Sequence, residues 1–200
     1  MIEEFVLSRG ENKIRIALYR KSVRGVLLCP PRPKYGGNRQ DTKLVEIANE
    51  LVNSDIPALC FDNSAYTGVI EEIKDTLFTL KYMNETMTSL GLLGYSYGAV
   101  VASNAAAQTQ YLKDLVLVSP LKNVNGMKID LSSSCKKLII YGSQDDIATK
   151  DIDDIYDLSK GESQRLSFDT DHFYFGYERN IAHAVVELFH EALQEPIKHF

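Results

Sequence analysis

Five short, almost uninterrupted apolar runs recur along the chain, at residues 23–30 (VRGVLLCP), 56–62 (IPALCFD), 89–93 (SLGLL), 112–119 (LKDLVLVS) and 136–142 (KKLIIYG). A strand wetted on one face alternates apolar with polar residues, so runs this continuous require cover on both faces. The intervening segments have helical spacing. Leu44, Val45, Ala48, Leu51 and Val52 form one stripe behind a cap at Asp41 or Thr42, and Val69, Ile70, Ile73, Leu77, Leu80 and Met83 form a second. Buried strands alternating with amphipathic helices specify a mostly parallel sheet with helices on both sides, a three-layer α/β sandwich. Residues 3–8 and 12–19 alternate instead and flank Arg9-Gly10-Glu11-Asn12, which predicts an opening antiparallel hairpin. The remaining predicted elements are a helix from the AVVASNAAA stretch, a short helix at 151–159, a strand at 164–168 and a final helix at 181–193. That last helix has Ile181, Val185, Leu188, Phe189 and Ala192 on its apolar face.

At 200 residues, with no repeat, low-complexity tract or interdomain linker, the expectation is one domain over residues 1–200. Hydrophobic residues at 44%, with 11 Tyr and 8 Phe, supply enough apolar surface for a core without disulfides or a structural metal. The net charge of −5, with both signs interspersed, argues against a nucleic-acid partner. The opening MIEEFVLSRGENK has acids where a secretory signal has bases, and no run reaches about 18 apolar residues, so a soluble cytoplasmic chain with no membrane partner is expected. Cys29, Cys60 and Cys135 are odd in number, lie in or beside apolar runs and form no CxxC pair, which predicts reduced, buried thiols. Neither GxGxxG after the first strand nor GxxxxGK[ST] occurs, and no His, Cys and acid cluster has metal-ligand spacing. No cofactor or metal is therefore proposed.

The strongest local signal is Gly94-Tyr95-Ser96-Tyr97-Gly98, placed between an apolar strand and a small-residue helix. A sharp strand-to-helix turn needs small flanking residues and holds its central hydroxyl above the sheet, so Ser96 is the candidate nucleophile. A serine hydroxyl needs a base and a carboxylate to orient that base. Of the four histidines, His183 and His190 lie on the final helix and His199 lies near the terminus. His172, in the turn-like DTDHFYFG after the last strand, is the candidate base. GSQDD follows the strand at 136–142, and Asp145 stands at its first accessible position. Asp146 is a cap or solvent-facing neighbour by preference, and Asp171, in the same loop as His172, ranks well below Asp145.

The order Ser96, Asp145, His172, carried by GYSYG, GSQD and DHF, resembles the α/β-hydrolase superfamily, particularly small serine hydrolases similar to dienelactone hydrolases and short carboxylesterases. The resemblance spans essentially the whole chain and implies an antiparallel edge in the opening strands before the parallel series. An early loop of the form HPHPxxGG, found in small members, is matched by Pro30-Pro31-Arg32-Pro33-Lys34-Tyr35-Gly36-Gly37, where Pro30 and Arg32 replace the two histidines. The resemblance implies two oxyanion donors, the Tyr97 amide and one from this loop. Prolines have no N–H, which leaves Arg32, preferred over Lys34. It also implies a pocket lined by Arg32, Lys34, Tyr35, Tyr97, Phe173 and Tyr174, and acyl transfer from a small or moderately sized ester to water. Thioesters, amides and peptides share this geometry. The other reading is a noncatalytic ligand-binding or interaction protein that kept the fold. The 120–135 segment is too short for a large lid, and a monomer or homodimer is expected.

Overall fold

The computed structural model describes residues 2–18 and 24–194, with side chains through residue 190. The predicted strand boundaries at Tyr19 and Val23, the helix positions Ala192 and Leu193 as packing residues, and His199 therefore fall outside the described structure.

Strands β1 (Glu3–Arg9) and β2 (Asn12–Leu18) form the opening antiparallel hairpin. After them come β3 (Arg24–Cys29), α1 (Thr42–Asn53), β4 (Ala58–Asp62), α2 (Ile70–Asn84), β5 (Ser89–Tyr95), α3 (Tyr97–Ala106) and β6 (Leu112–Val118). A two-residue-per-strand hairpin, β7 (Asn123–Val124) and β8 (Met127–Lys128), precedes β9 (Lys136–Gly142), α4 (Ile152–Asp157), β10 (Ser163–Phe168) and α5 (Glu178–Gln194). The main sheet has eight strands in the order β1-β2-β4-β3-β5-β6-β9-β10. From β4 to β10 every pairing is parallel, and β2 meets β4 antiparallel, so the reversed strand lies one place in from the edge.

The continuous apolar runs are buried on both faces. On one side Leu27, Leu92, Leu115 and Ile139 pack with α2, α3 and α4; on the other Leu28, Leu93, Val116 and Ile140 pack with α1 and α5. This is the predicted three-layer sandwich with no large lid. Asp41 caps α1, its carboxylate accepting from the amides of Lys43 and Leu44. One position of the predicted α2 stripe is different: Ile70 is exposed. Val69 takes φ 107° as the N-cap, so the helix starts one residue later and Ile70 rotates to the outer side of the first turn. All three cysteines are free and buried, and burial pushes the Cys29 and Cys60 thiols up to about 12, leaving them protonated and unreactive. Among the described residues, no helix is long and apolar enough to cross a membrane.

Candidate active site

The parallel strands end on one rim of the sheet, and the buried polar residues Ser96, Ser119, Asp145 and His172 follow strand ends there, as expected for an open α/β sheet. Strand β5 runs into α3 through Ser96, which takes φ 55° and ψ −113°, a conformation that side chains rarely adopt. The neighbouring glycines permit it. A Cβ on Gly94 would strike the backbone of Gly98 and Ala99, and one on Gly98 would strike the carbonyls of Cys29 and Pro30. The turn is thus pressed against the end of β3, and the Ser96 hydroxyl stands clear of the sheet.

Ser96 Oγ lies 2.9 Å from His172 Nε2, and His172 Nδ1 lies 2.8 Å from Asp145 Oδ2. These residues come from three strand ends, the β5–α3 turn, the β9–α4 loop and the loop after β10. Ser96 and His172 are 9% and 8% exposed and Asp145 only 1%, so the hydroxyl and the imidazole edge meet solvent while the acid does not. Asp145 is saturated with donors. Its Oδ1 accepts the amides of Ile147 and Ala148, at 3.0 and 2.9 Å, and its Oδ2 accepts the Ser119 hydroxyl at 2.6 Å as well as His172. Burial pulls its pKa upward, but the hydrogen bonds from His172, Ser119 and Ala148 outweigh it and leave the carboxyl below its ordinary value. An ionised Asp145 only accepts, which fixes the proton on His172 Nδ1 and leaves Nε2 to receive the Ser96 proton.

Asp145, not Asp146, both orients the imidazole and caps the following turn; Asp146 is exposed. Asp171 turns back on its own loop, where it accepts the Phe173 amide. The imidazole is packed between Tyr95, stacked at 5.7 Å, and Phe173, edge-on at 5.7 Å, and the Tyr95 hydroxyl donates to the His172 carbonyl at 2.7 Å.

The hydroxyl and imidazole open onto a cleft of about 780 Å³, whose walls include Arg32, Tyr35, Tyr97 and Phe173. Two residues predicted to line it do not. Lys34 sits in a 3₁₀ turn of residues 33–35 and is exposed to solvent, away from the cleft wall. Tyr174 is fully buried beneath the site, its hydroxyl 2.7 Å from Ser119 Oγ; because Ser119 gives its one proton to Asp145, Tyr174 donates to Ser119. Arg32 precedes the 3₁₀ turn with an extended backbone, and its carbonyl accepts the amides of Tyr35 and Gly37. Tyr97 is the first residue of α3, so its amide has no acceptor inside the helix.

Sequence reasoning missed several contributors. Ser119 follows β6 directly, a strand-end polar residue that the same topological rule singles out. Leu121 and Val124 reach the cleft from the 120–135 segment, as do Asp41 and Lys43 from the start of α1. No local pattern announces these. Among the described residues, no group of three or more His, Cys, Asp or Glu is arranged to hold a metal ion.

Comparison with known proteins agrees with this architecture. An α/β serine hydrolase homologue from Coxiella burnetii superposes with a TM-score of 0.82 at 18% identity, over 93% of this chain and 96% of that one. A Xanthomonas campestris α/β serine hydrolase described as lacking a lid gives 0.79 at 18% identity, over 95% and 94%. Est1E from Butyrivibrio proteoclasticus, in a structure with bound ferulic acid, gives 0.83 at 13% identity, over 96% and 100%. No curated protein matches the chain. The family model described as Serine hydrolase (FSH1) matches residues 12–174, a span containing Ser96, Asp145 and His172, and the chain accordingly belongs to the serine hydrolase (FSH1) family within the α/β-hydrolase superfamily.

Proposed function

We propose that the protein hydrolyses a small or moderately sized carboxylic ester through an acyl-enzyme on Ser96, with His172 as base and Asp145 orienting it, as one domain without a lid. The observation that carries this reading is the hydrogen-bonded series from Asp145 Oδ2 through the His172 ring to Ser96 Oγ at the mouth of a cleft. In the first step His172 Nε2 takes the Ser96 proton while Oγ bonds to the ester carbon. The charge that develops on the carbonyl oxygen is received by the backbone N–H groups of Tyr97 and Arg32. Such a donor is worth about 3 kcal/mol of transition-state stabilisation. Collapse expels the alcohol, which takes the proton from His172. Water then gives a proton to His172, adds to the acyl carbon, and the acid leaves as Ser96 regains its hydrogen. Arg32, Tyr35 and Phe173 are the residues that would touch substrate.

The test uses a short-chain p-nitrophenyl ester series and a fluorophosphonate probe. Wild type should turn over the esters and be labelled at Ser96. Ser96→Ala should lose on the order of 10⁵-fold or more in kcat and all labelling. Turnover unchanged in Ser96→Ala, or a folded wild type inert to esters and probe alike, overturns the reading.

A further inference from the structure

Arg32 differs from the other well-placed arginines of this molecule. Arg9, Arg39, Arg165 and Arg179 each hold a carboxylate. The Arg32 guanidinium faces the cleft and, among the described residues, is held only by neutral groups. Its Nε donates to the Tyr66 hydroxyl at 2.7 Å, and its Nη2 donates to the Asn125 amide oxygen at 3.1 Å. The rings of Tyr35, Tyr66 and Tyr97 surround it, 5.5 to 6.0 Å from the guanidinium carbon.

The clamp is itself anchored. Tyr66 belongs to the 63–69 loop, which is tied to Glu72, a fully buried carboxylate that accepts the amides of Thr67 and Val69 and the hydroxyls of Thr67 and Tyr97. Asn125 comes from the β7–β8 turn. Three separate segments therefore fix one cation beside the nucleophile turn. Ordering a long side chain ahead of binding lowers the entropic cost of using it.

The guanidinium has a free end. Five N–H groups form a planar fork, and with Nε and one Nη2 hydrogen occupied, Nη1 and the second Nη2 hydrogen have no partner among the described residues. That end matches the two oxygens of a carboxylate. The other charges on the cleft wall do not compensate it. Lys43 faces Asp41 at 3.5 Å, and Asp41 also caps α1, which leaves Arg32, among the described residues, as the cation of the cleft wall without a counter-charge.

We propose that the ester this site hydrolyses carries a carboxylate, which the free end of Arg32 receives while Ser96 attacks the ester carbonyl. The inference rests on Ser96 being the nucleophile and adds the charge class of the substrate. The bond broken is still the ester C–O bond, water supplies the new hydroxyl, and the second carboxylate passes through unchanged.

Two matched pairs test it with the full chain. Monoethyl glutarate against its 4-carbamoylbutanoate ethyl ester places the charge on the acyl side, and butanoyl glycolate against butanoyl glycolamide places it on the alcohol side. The ratio of kcat/KM for acid over amide should reach about 10 to 100 in at least one pair, which then identifies the side. It should fall to near one in Arg32→Gln, be partly kept in Arg32→Lys, fall in Tyr66→Phe, and decline as salt rises from about 0.05 to about 0.5 M. Damage to the fold lowers both members of a pair and leaves the ratio unmoved. A wild-type ratio of one or less in both pairs, or a ratio unaltered in Arg32→Gln, overturns the proposal. If neither pair is turned over, the same preference is read from fluorophosphonate labelling of Ser96. Slowing by glutarate but not glutaramide, lost in Arg32→Gln, supports it, and equal labelling overturns it. Turnover that persists in Ser96→Ala instead condemns the assignment of the nucleophile.

Discussion

Ser96 combines a strained backbone with a useful hydroxyl, and the two can be separated. At φ 55° any Cβ is unfavourable, a penalty of about 1–3 kcal/mol that Ser and Ala share and Gly escapes. Ser96→Gly and Ser96→Ala both remove the hydroxyl, yet Ser96→Gly should be the more stable by about 1 kcal/mol, read from urea midpoints, although Gly is ordinarily the poorer residue. Equal midpoints would mean that the turn is not strained. Asp145 makes a second prediction at this scale. Asp145→Asn keeps the shape but can hold His172 in the wrong tautomer, so kcat should fall on the order of 10⁴-fold with little change in KM. Because burial is outweighed by the hydrogen bonds from His172, Ser119 and Ala148, the native carboxyl titrates below its unfolded value. Its contribution to stability is then complete above the ordinary carboxylate range near pH 4 and is lost as pH falls through the native pKa. The stability difference between wild type and Asp145→Asn should accordingly shrink on acidification below about pH 4; a difference flat from pH 7 to pH 3 contradicts the assignment.

At the scale of elements, the site depends on how closely α3 approaches the end of β3. Gly98 has no room for a Cβ against the carbonyls of Cys29 and Pro30, backbone atoms that cannot rotate away. Gly98→Ala should therefore destabilise the fold by about 1–3 kcal/mol and also shift the Tyr97 amide relative to the early loop. Chemical denaturation together with ester turnover checks both, and a variant with unaltered stability and kcat would show that the contact yields freely. The loop between β6 and β9 is the element whose role sequence reading underestimated. It was too short to be a lid, yet its β7–β8 hairpin sends Val124 to the cleft and Asn125 to Arg32, 93 residues away in sequence. The early loop divides in the opposite sense: Arg32 and Tyr35 face the cleft, and Lys34 between them points to solvent, because the 3₁₀ turn rotates each side chain by about a third of a revolution.

For the molecule as a whole, the absence of a large lid insertion leaves the cleft bordered by exposed Tyr35, Ile147 and Phe173. With no cover to displace, the rate on a sparingly soluble ester should follow a simple hyperbola through the solubility limit, measured by pH-stat titration; an abrupt rise at the limit would reveal a hidden closing element. The sheet and the gathering of Ser96, Asp145 and His172 at one rim were legible in the chain for the same reason. Apolar runs report burial locally, and Ser96, Asp145 and His172 each follow a strand, so their placement on one rim follows from parallel topology. The positions of the strands along the chain and the GYSYG turn needed nothing from distant residues, whereas the order of strands across the sheet was set by pairings between distant segments. Which way a side chain points needed them too. The burial of Tyr174 beneath the site, the Ser119 hydroxyl behind Asp145, and the Tyr66 and Asn125 clamp on Arg32 all depend on segments 26 to 93 residues apart meeting in space. Periodicity registers whether a residue is covered, whereas the direction of a polar group is set by the partner it finds, and only the folded sheet brings those partners together.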